Sequence, residues 1–297
     1  MHQIVSISMS SLLWVLVTLV PAWAETDAPT VANEGDRLFG FAAALVEEGD
    51  YYRAITEYKR FVSYFPDDHR VPLARLNVAL AYRRGGKTDL AVGILKAIQI
   101  DYGGSSIAEK AHYETGHTYA VVGRHQEAAT TLADYLVLYP DSVRRDSAWE
   151  RLGWSLIHLW RLEEAAQAFQ SVSNRSARYP FTQALAEQLS GPVTVPEKSP
   201  LLAGTLSAIL PGAGQFYTQR PREGITSFVL NGSFIWAIAG LFNKGNEVAG
   251  VLLGFFETGW YSGGIFGAVN DAHKFNRKAK RDYIADLRNR YPMPREE

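Results

Sequence analysis

The chain has 297 residues, enough for two domains at about 150 residues each. Its 30 Lys+Arg and 31 Asp+Glu leave a formal charge of -1, so no basic excess points to nucleic acid. It has no cysteine, which excludes disulfides, thiolate metal sites, a cysteine nucleophile and a lipid-modified cysteine together.

Residues Ile4 to Val20 are mostly apolar, centred on Leu12-Leu13-Trp14-Val15-Leu16-Val17. Pro21 ends the run, and Ala22-Trp23-Ala24 supplies a small-x-small cleavage pattern. Residues 1–24 therefore read as a secretory signal peptide cut before Glu25, although Met-His-Gln brings no positive charge. An uncleaved signal anchor is the alternative, and either places the following residues outside the cytoplasm. Residues 25–35 read as a flexible lead-in.

From about Asp36 to Val172 the chain repeats itself. Ala54, Ala91, Ala128 and Ala165 follow one another in steps of 37. Four residues after each stands a large apolar residue: Tyr58, Leu95, Leu132 and Phe169. Twelve before each stands a small one: Ala42, Ala79, Gly116 and Gly153. A fixed step of this length predicts a solenoid of helical pairs, in which stacking supplies the core that one pair lacks. Gly49-Asp50, Gly85-Gly86-Lys87 and Gly123-Arg124 supply turns. Residues 36–190 thus hold four repeats and a short capping helix, Phe181 to Leu189. Residues 191–200 form a Pro-rich linker.

The pattern resembles the tetratricopeptide repeat family. Trp149-x2-Leu152-Gly153 followed by Ala165-x3-Phe169 carries that likeness, as do Gly116-x2-Tyr119, Ala128, Leu132 and Pro140. The endings Phe65-Pro66-Asp67 and Tyr139-Pro140-Asp141 look like the repeats of periplasmic envelope-assembly proteins. The resemblance implies a protein- or peptide-binding scaffold in which the first helix of each pair lines a groove. Carried onto this chain, the groove residues are Arg83, Arg84, Lys110, Tyr113, His117, Glu150, Trp154 and His158. Packing between repeats is the alternative reading for Tyr113 and Trp154.

Residues 201–270 read as a membrane domain of about three helical segments. No charge falls between Lys198 and Arg220, or between Glu223 and Lys244; Val248 to Asn270 carries one, Glu257. A crossing helix needs about 20 mainly apolar residues. Pro211, Gly212 and Gly214 break the first segment. With Gln215 and Tyr217 they resemble the Pro-Gly-x-Gly-Gln-x-Tyr turn of small bacterial membrane domains. No strand precedes Gly212-x-Gly214, so a nucleotide-binding loop is not expected. Gln215, Asn231 and Glu257 are the intramembrane polar candidates. The pairs Gly250/Gly254, Gly259/Gly263 and Gly263/Gly267 permit close helix contact, within the chain or in a homo-oligomer.

The basic residues Lys274, Arg277, Lys278, Lys280 and Arg281 open the tail, 271–297. Three crossings would put that tail in the cytoplasm, as the positive-inside rule favours. The rival is a re-entrant first segment, because about 17 residues rise only ~26 Å as helix.

His112 and His117 are five apart, which does not place them on one helix face. No metal, cofactor or catalytic constellation is expected, and no enzyme. The sequence predicts an all-α protein: a tetratricopeptide-like solenoid followed by an α-helical membrane domain. Expected partners are other envelope proteins or peptides, with membrane lipids around the anchor. The expected address is the inner membrane, with the repeats periplasmic. The alternative is a transport or lipid-handling unit with the repeats as its recognition arm.

Overall fold

The computed structural model describes residues 31–293. Among them are thirteen α-helices and no β-strand. The expected signal peptide and residues 25–30 lie outside the described residues. Residues 31–35, expected to be flexible, belong to the first helix.

The chain divides after Gly123 into two compact units. The first holds α1 (Val31–Glu47), α2 (Tyr51–Tyr64), α3 (Val71–Arg84), α4 (Thr88–Asp101) and α5 (Ser106–Val121). Each packs on the next. The repeat positions explain why: Ala54 and Ala91 are fully buried, and beside them Tyr58 and Leu95 fill the space between helices. Ala42, Tyr58, Phe61, Ala74 and Val78 share one cluster; Leu76, Ala79, Leu95, Ile98 and Ala111 share the next. Asp50 and Ser105 cap α2 and α5 by accepting from the backbone nitrogens of Arg53 and Ala108. Gly49, Gly86 and Gly123 turn the chain with φ of +80°, +74° and +78°, a conformation that costs glycine nothing.

The second unit holds α6 (His125–Leu138), α7 (Arg145–His158), α8 (Leu162–Gln170), α9 (Tyr179–Ser190), α10 (Pro200–Ile209), α11 (Ala213–Tyr217), α12 (Pro221–Asn243) and α13 (Glu247–Arg290). Phe169 lies over Gly153: a methyl on that glycine would stand 2.6 Å from the ring. Helix α9 packs on α8 and closes the repeats.

Leu201–Tyr217, expected as the first of three crossings, is instead a hairpin. Helix α10 has ten residues, a rise of ~15 Å. It runs back along α13: Ala203 packs with Ala268 and Ala272, and the Tyr261 hydroxyl donates to the Ala208 carbonyl at 3.1 Å. The chain then reverses at Gly212, whose φ is +87°. Among the described residues, α12 alone is long and apolar enough to cross a membrane, with a mean hydropathy of 1.7 over its most apolar stretch. Helix α13 continues past the apolar segment for a total of 44 residues, so the expected tail is helical as far as Arg290.

Candidate functional site

The expected groove residues fall into two clusters, one in each unit. In the first unit Arg83, on the last turn of α3, meets α5. Its Nη1 donates to Glu114 Oε2 at 2.6 Å and lies 3.0 Å from His117 Nδ1. Burial pushes the Glu114 carboxyl up, but the bonds from His117 and Arg83 outweigh it and hold the group at about 2. Tyr113 packs beside His117, with ring centroids 6.2 Å apart. Tyr113 and His117 are both buried; Arg84 is exposed, and Lys110 is half-buried. Of the expected contact residues in this unit, only Arg84 and Lys110 therefore present substantial side-chain surface beyond the Arg83 cluster. Glu114, which organises the cluster, was not an expected site residue.

In the second unit Glu150 is buried and paired with Arg178 at the start of α9. Arg178 Nη2 donates to Glu150 Oε1 at 2.8 Å and Nε to the same oxygen at 3.1 Å. This pair ties the capping helix to α7 and leaves Glu150 buried rather than exposed. Trp154 is also buried, edge-on to Phe169 with centroids 6.0 Å apart. His158 stacks on His125, 4.0 Å between centroids and 7° between planes. On the other side its Nε2 lies 2.9 Å from Arg288 Nη2, at the far end of α13.

Arg288 is one of several tail residues against this repeat. Its guanidinium lies 6.0 Å from the Trp154 ring centroid. Lys280 Nζ stands 4.7 Å over the Trp160 ring, and Tyr283 meets the same ring edge-on at 5.8 Å. Arg290 Nη1 and the Tyr291 hydroxyl both donate to Gln188 Oε1 at 3.2 Å. The sequence expectation had a bilayer between tail and repeats; here the tail touches the fourth repeat. Trp160 has φ +61°, at the position one repeat step after Gly49, Gly86 and Gly123. Continuing that step of 37 would have found it in the sequence.

The intramembrane candidates separate. Gln215 is held at both ends of its amide: Ser207 Oγ donates to its Oε1 at 3.0 Å, and its Nε2 donates to the Gly264 carbonyl at 2.9 Å. Ser207 Oγ also accepts from the Gly214 backbone at 3.0 Å. Ser207 thus satisfies the Gly214 backbone nitrogen at the break, and the Gln215 amide ties Ser207 to α13. Asn231 donates to the Ser227 carbonyl, but its Oδ1 is buried without a hydrogen-bond partner. Both carboxylate oxygens of Glu257 are buried and unpartnered as well. A cavity of about 790 Å³ opens between α11, α12 and α13, lined by Gln215, Arg222, Trp260, Gly263, Gly267 and Asp271 among others. Of the paired glycines, Gly250 packs on Phe242 and Gly267 approaches Gln215, while Gly254, Gly259 and Gly263 face open space. Among the described residues no group of three or more His, Asp and Glu could hold a metal ion.

The tetratricopeptide-repeat family model matches residues 39–106 and 113–180. The helical pairs over these residues are thus similar to tetratricopeptide repeats. No curated protein matches the chain. Among solved structures, the chain is similar to nearly identical TPR-like repeats of Podosopora anserina, with a TM-score of 0.44 and 17% identity over 53% of this chain and 87% of that one. It is similar to a tetratricopeptide repeat protein of Parabacteroides merdae, with a TM-score of 0.43 and 17% identity over 85% and 96%. It is also similar to MamA of Desulfovibrio magneticus, with a TM-score of 0.39 and 14% identity over 66% and 92%. The tetratricopeptide repeat is a scaffold for binding other proteins, and the clusters around Glu114 and His158 sit on its helices.

Proposed function

We propose that the chain is a membrane-anchored scaffold of the bacterial envelope whose tetratricopeptide repeats bind segments of other proteins. The observation that carries the anchoring is the outer surface of α12 and α13. Trp236, Phe255 and Phe266 are 81%, 77% and 75% exposed, and the apolar stretch of α12 is only 6% buried. A soluble monomer rarely leaves so broad an apolar surface in water. Periplasmic repeats are supported by the apolar run and small-x-small pattern of residues 1–24.

Two measurements test this. The full chain should stay with membranes after an alkaline carbonate wash, while a chain ending at Ser190 should be released. A photo-crosslinking residue at Arg84 or Lys110 in the full chain should capture one discrete protein in spheroplasts. Extraction of the full chain by carbonate would overturn the anchoring, and absence of capture at both positions would overturn the scaffold.

A second reading, transport or lipid handling by α10–α13, is favoured by the unpartnered groups of Asn231 and Glu257. A Glu257→Gln variant separates the readings. The scaffold expects normal abundance and normal crosslinking with no loss of phenotype. The transport reading expects the deletion phenotype although crosslinking persists.

A further inference from the structure

The fourth repeat differs from the others at one turn. Where Gly49, Gly86 and Gly123 adopt positive φ, the chain places Trp160 at +61°. A bulky residue in this region is strained, and such strain persists where the surroundings over-determine it. The Trp160 side chain contacts residues of α13, more than a hundred residues further along. Lys280 covers its face and Tyr283 its edge. One and two turns on, Arg288 reaches His158 and Trp154, and Tyr291 reaches Gln188. Ile284 and Leu287 are the buried apolar residues of this stretch. Lys280, Tyr283, Ile284, Leu287, Arg288 and Tyr291 recur at spacings of three and four, one face of a helix.

The contacts are made by side-chain ends: an ammonium on an indole, a guanidinium on an imidazole, a phenol on an amide. Apart from Ile284 and Leu287 the segment stays largely in solvent. That is the chemistry of an exchangeable ligand, unlike the apolar clusters built around Tyr58 and Leu95 between the repeat helices.

We propose that Trp154, His158, Trp160 and Gln188 form the receptor site of the repeats for a cationic and aromatic helical segment, and that residues 280–291 are its resident occupant. The partner is then a helix of another protein with the same face, and it binds by displacing the tail. The inference rests on the scaffold reading only in taking the repeats as the binding part.

The test uses the full chain in detergent and a labelled peptide of residues 276–293. A Lys280→Glu/Arg288→Glu chain keeps the tail but weakens its hold. It should bind the peptide at least tenfold more tightly than the unmodified chain. Adding Trp160→Gly restores the residue type of the other three turns, which relieves the strained φ and removes the aromatic receptor. It should cancel that gain. Because the chain has no cysteine, a Met293→Cys chain takes a single spin label, whose mobility should rise as peptide is added. Equal peptide affinity in the unmodified and weakened chains would overturn the proposal. So would a gain indifferent to Trp160→Gly, or a label that peptide leaves unmoved. Envelope crosslinking at Arg84 or Lys110 does not depend on these outcomes, so failure here leaves the scaffold reading standing.

Discussion

The Tyr217 hydroxyl accepts a hydrogen bond from the Ser199 backbone nitrogen at 3.1 Å. The chain that enters α10 at Pro200 has therefore come back to its starting level at the end of α11. Lys198 is pinned close by, since its backbone nitrogen and carbonyl both pair with the Asn276 amide, at 2.7 and 2.9 Å.

That return depends on two glycines. A methyl on Gly212 would stand 2.1 Å from the Gly224 carbonyl oxygen, at a φ of +87°. A methyl on Gly214 would stand 2.1 Å from the Ala203 carbonyl oxygen. Backbone atoms cannot yield as a flexible side chain can. Gly212→Ala and Gly214→Ala should each destabilise the chain by about 2 kcal/mol or more. Thermal unfolding in detergent checks this, and a midpoint unchanged in both variants would refute the tight turn.

Gly153 tests the repeat packing in the same way. Its neighbour is the ring of Phe169, 2.6 Å from the position of an added methyl. Gly153→Ala should cost about 1–3 kcal/mol through overpacking. Phe169→Leu added to Gly153→Ala should cost less than the two single changes together, because the smaller side chain makes room.

Arg178→Ala should leave the Glu150 carboxylate buried without its partner. Breaking such a pair costs about 3 kcal/mol. Unfolding should show that loss, whereas crosslinking from Arg84 should not change in chains that remain folded. Loss of crosslinking with no loss of stability would return Glu150 to the list of partner contacts.

The stacked histidines set a pH dependence. Burial, the adjoining His125 ring and the Arg288 guanidinium push His158 down to about 4. An unfolded histidine titrates near 6.5. The unfolded chain therefore binds more protons between these values, and stability falls as pH drops from about 6.5 to about 4. His158→Gln should flatten this part of a plot of unfolding midpoint against pH. The Glu114 carboxyl, held at about 2, contributes stability that is lost lower down, from about 4.5 to about 2. A midpoint as steep in His158→Gln as in the parent between pH 6.5 and 4 would remove His158 as the cause.

The repeats were legible because their signal is local and periodic. Ala54, Ala91, Ala128 and Ala165 are all fully buried, as small residues at a helix crossing must be. The groove residues were less legible. A consensus position tells which way a side chain points, but not what fills the space in front of it. Glu114 fills it before Arg83 and His117, and α13 fills it before Trp154 and His158. Residues 201–217 read as one apolar segment because their lack of charge outweighed Pro211-Gly212, where the structure has two short helices. Hydropathy cannot distinguish ten residues in and five residues back from a single traverse. The contact of Arg288 with His158 spans 130 positions, and no local pattern announces it.

Helix α13 runs without interruption from Glu247 to Arg290, a rod of ~66 Å. One end turns out of α12, the middle supports α10, and the other end lies on the fourth repeat. A rod has no hinge to absorb a change of angle: a tilt of 10° about its origin carries its far end roughly 11 Å. Whatever alters the lean of α12 and α13 would reach Trp160 and His158 as a displacement. The rod is thereby also a lever, with the repeat as its load.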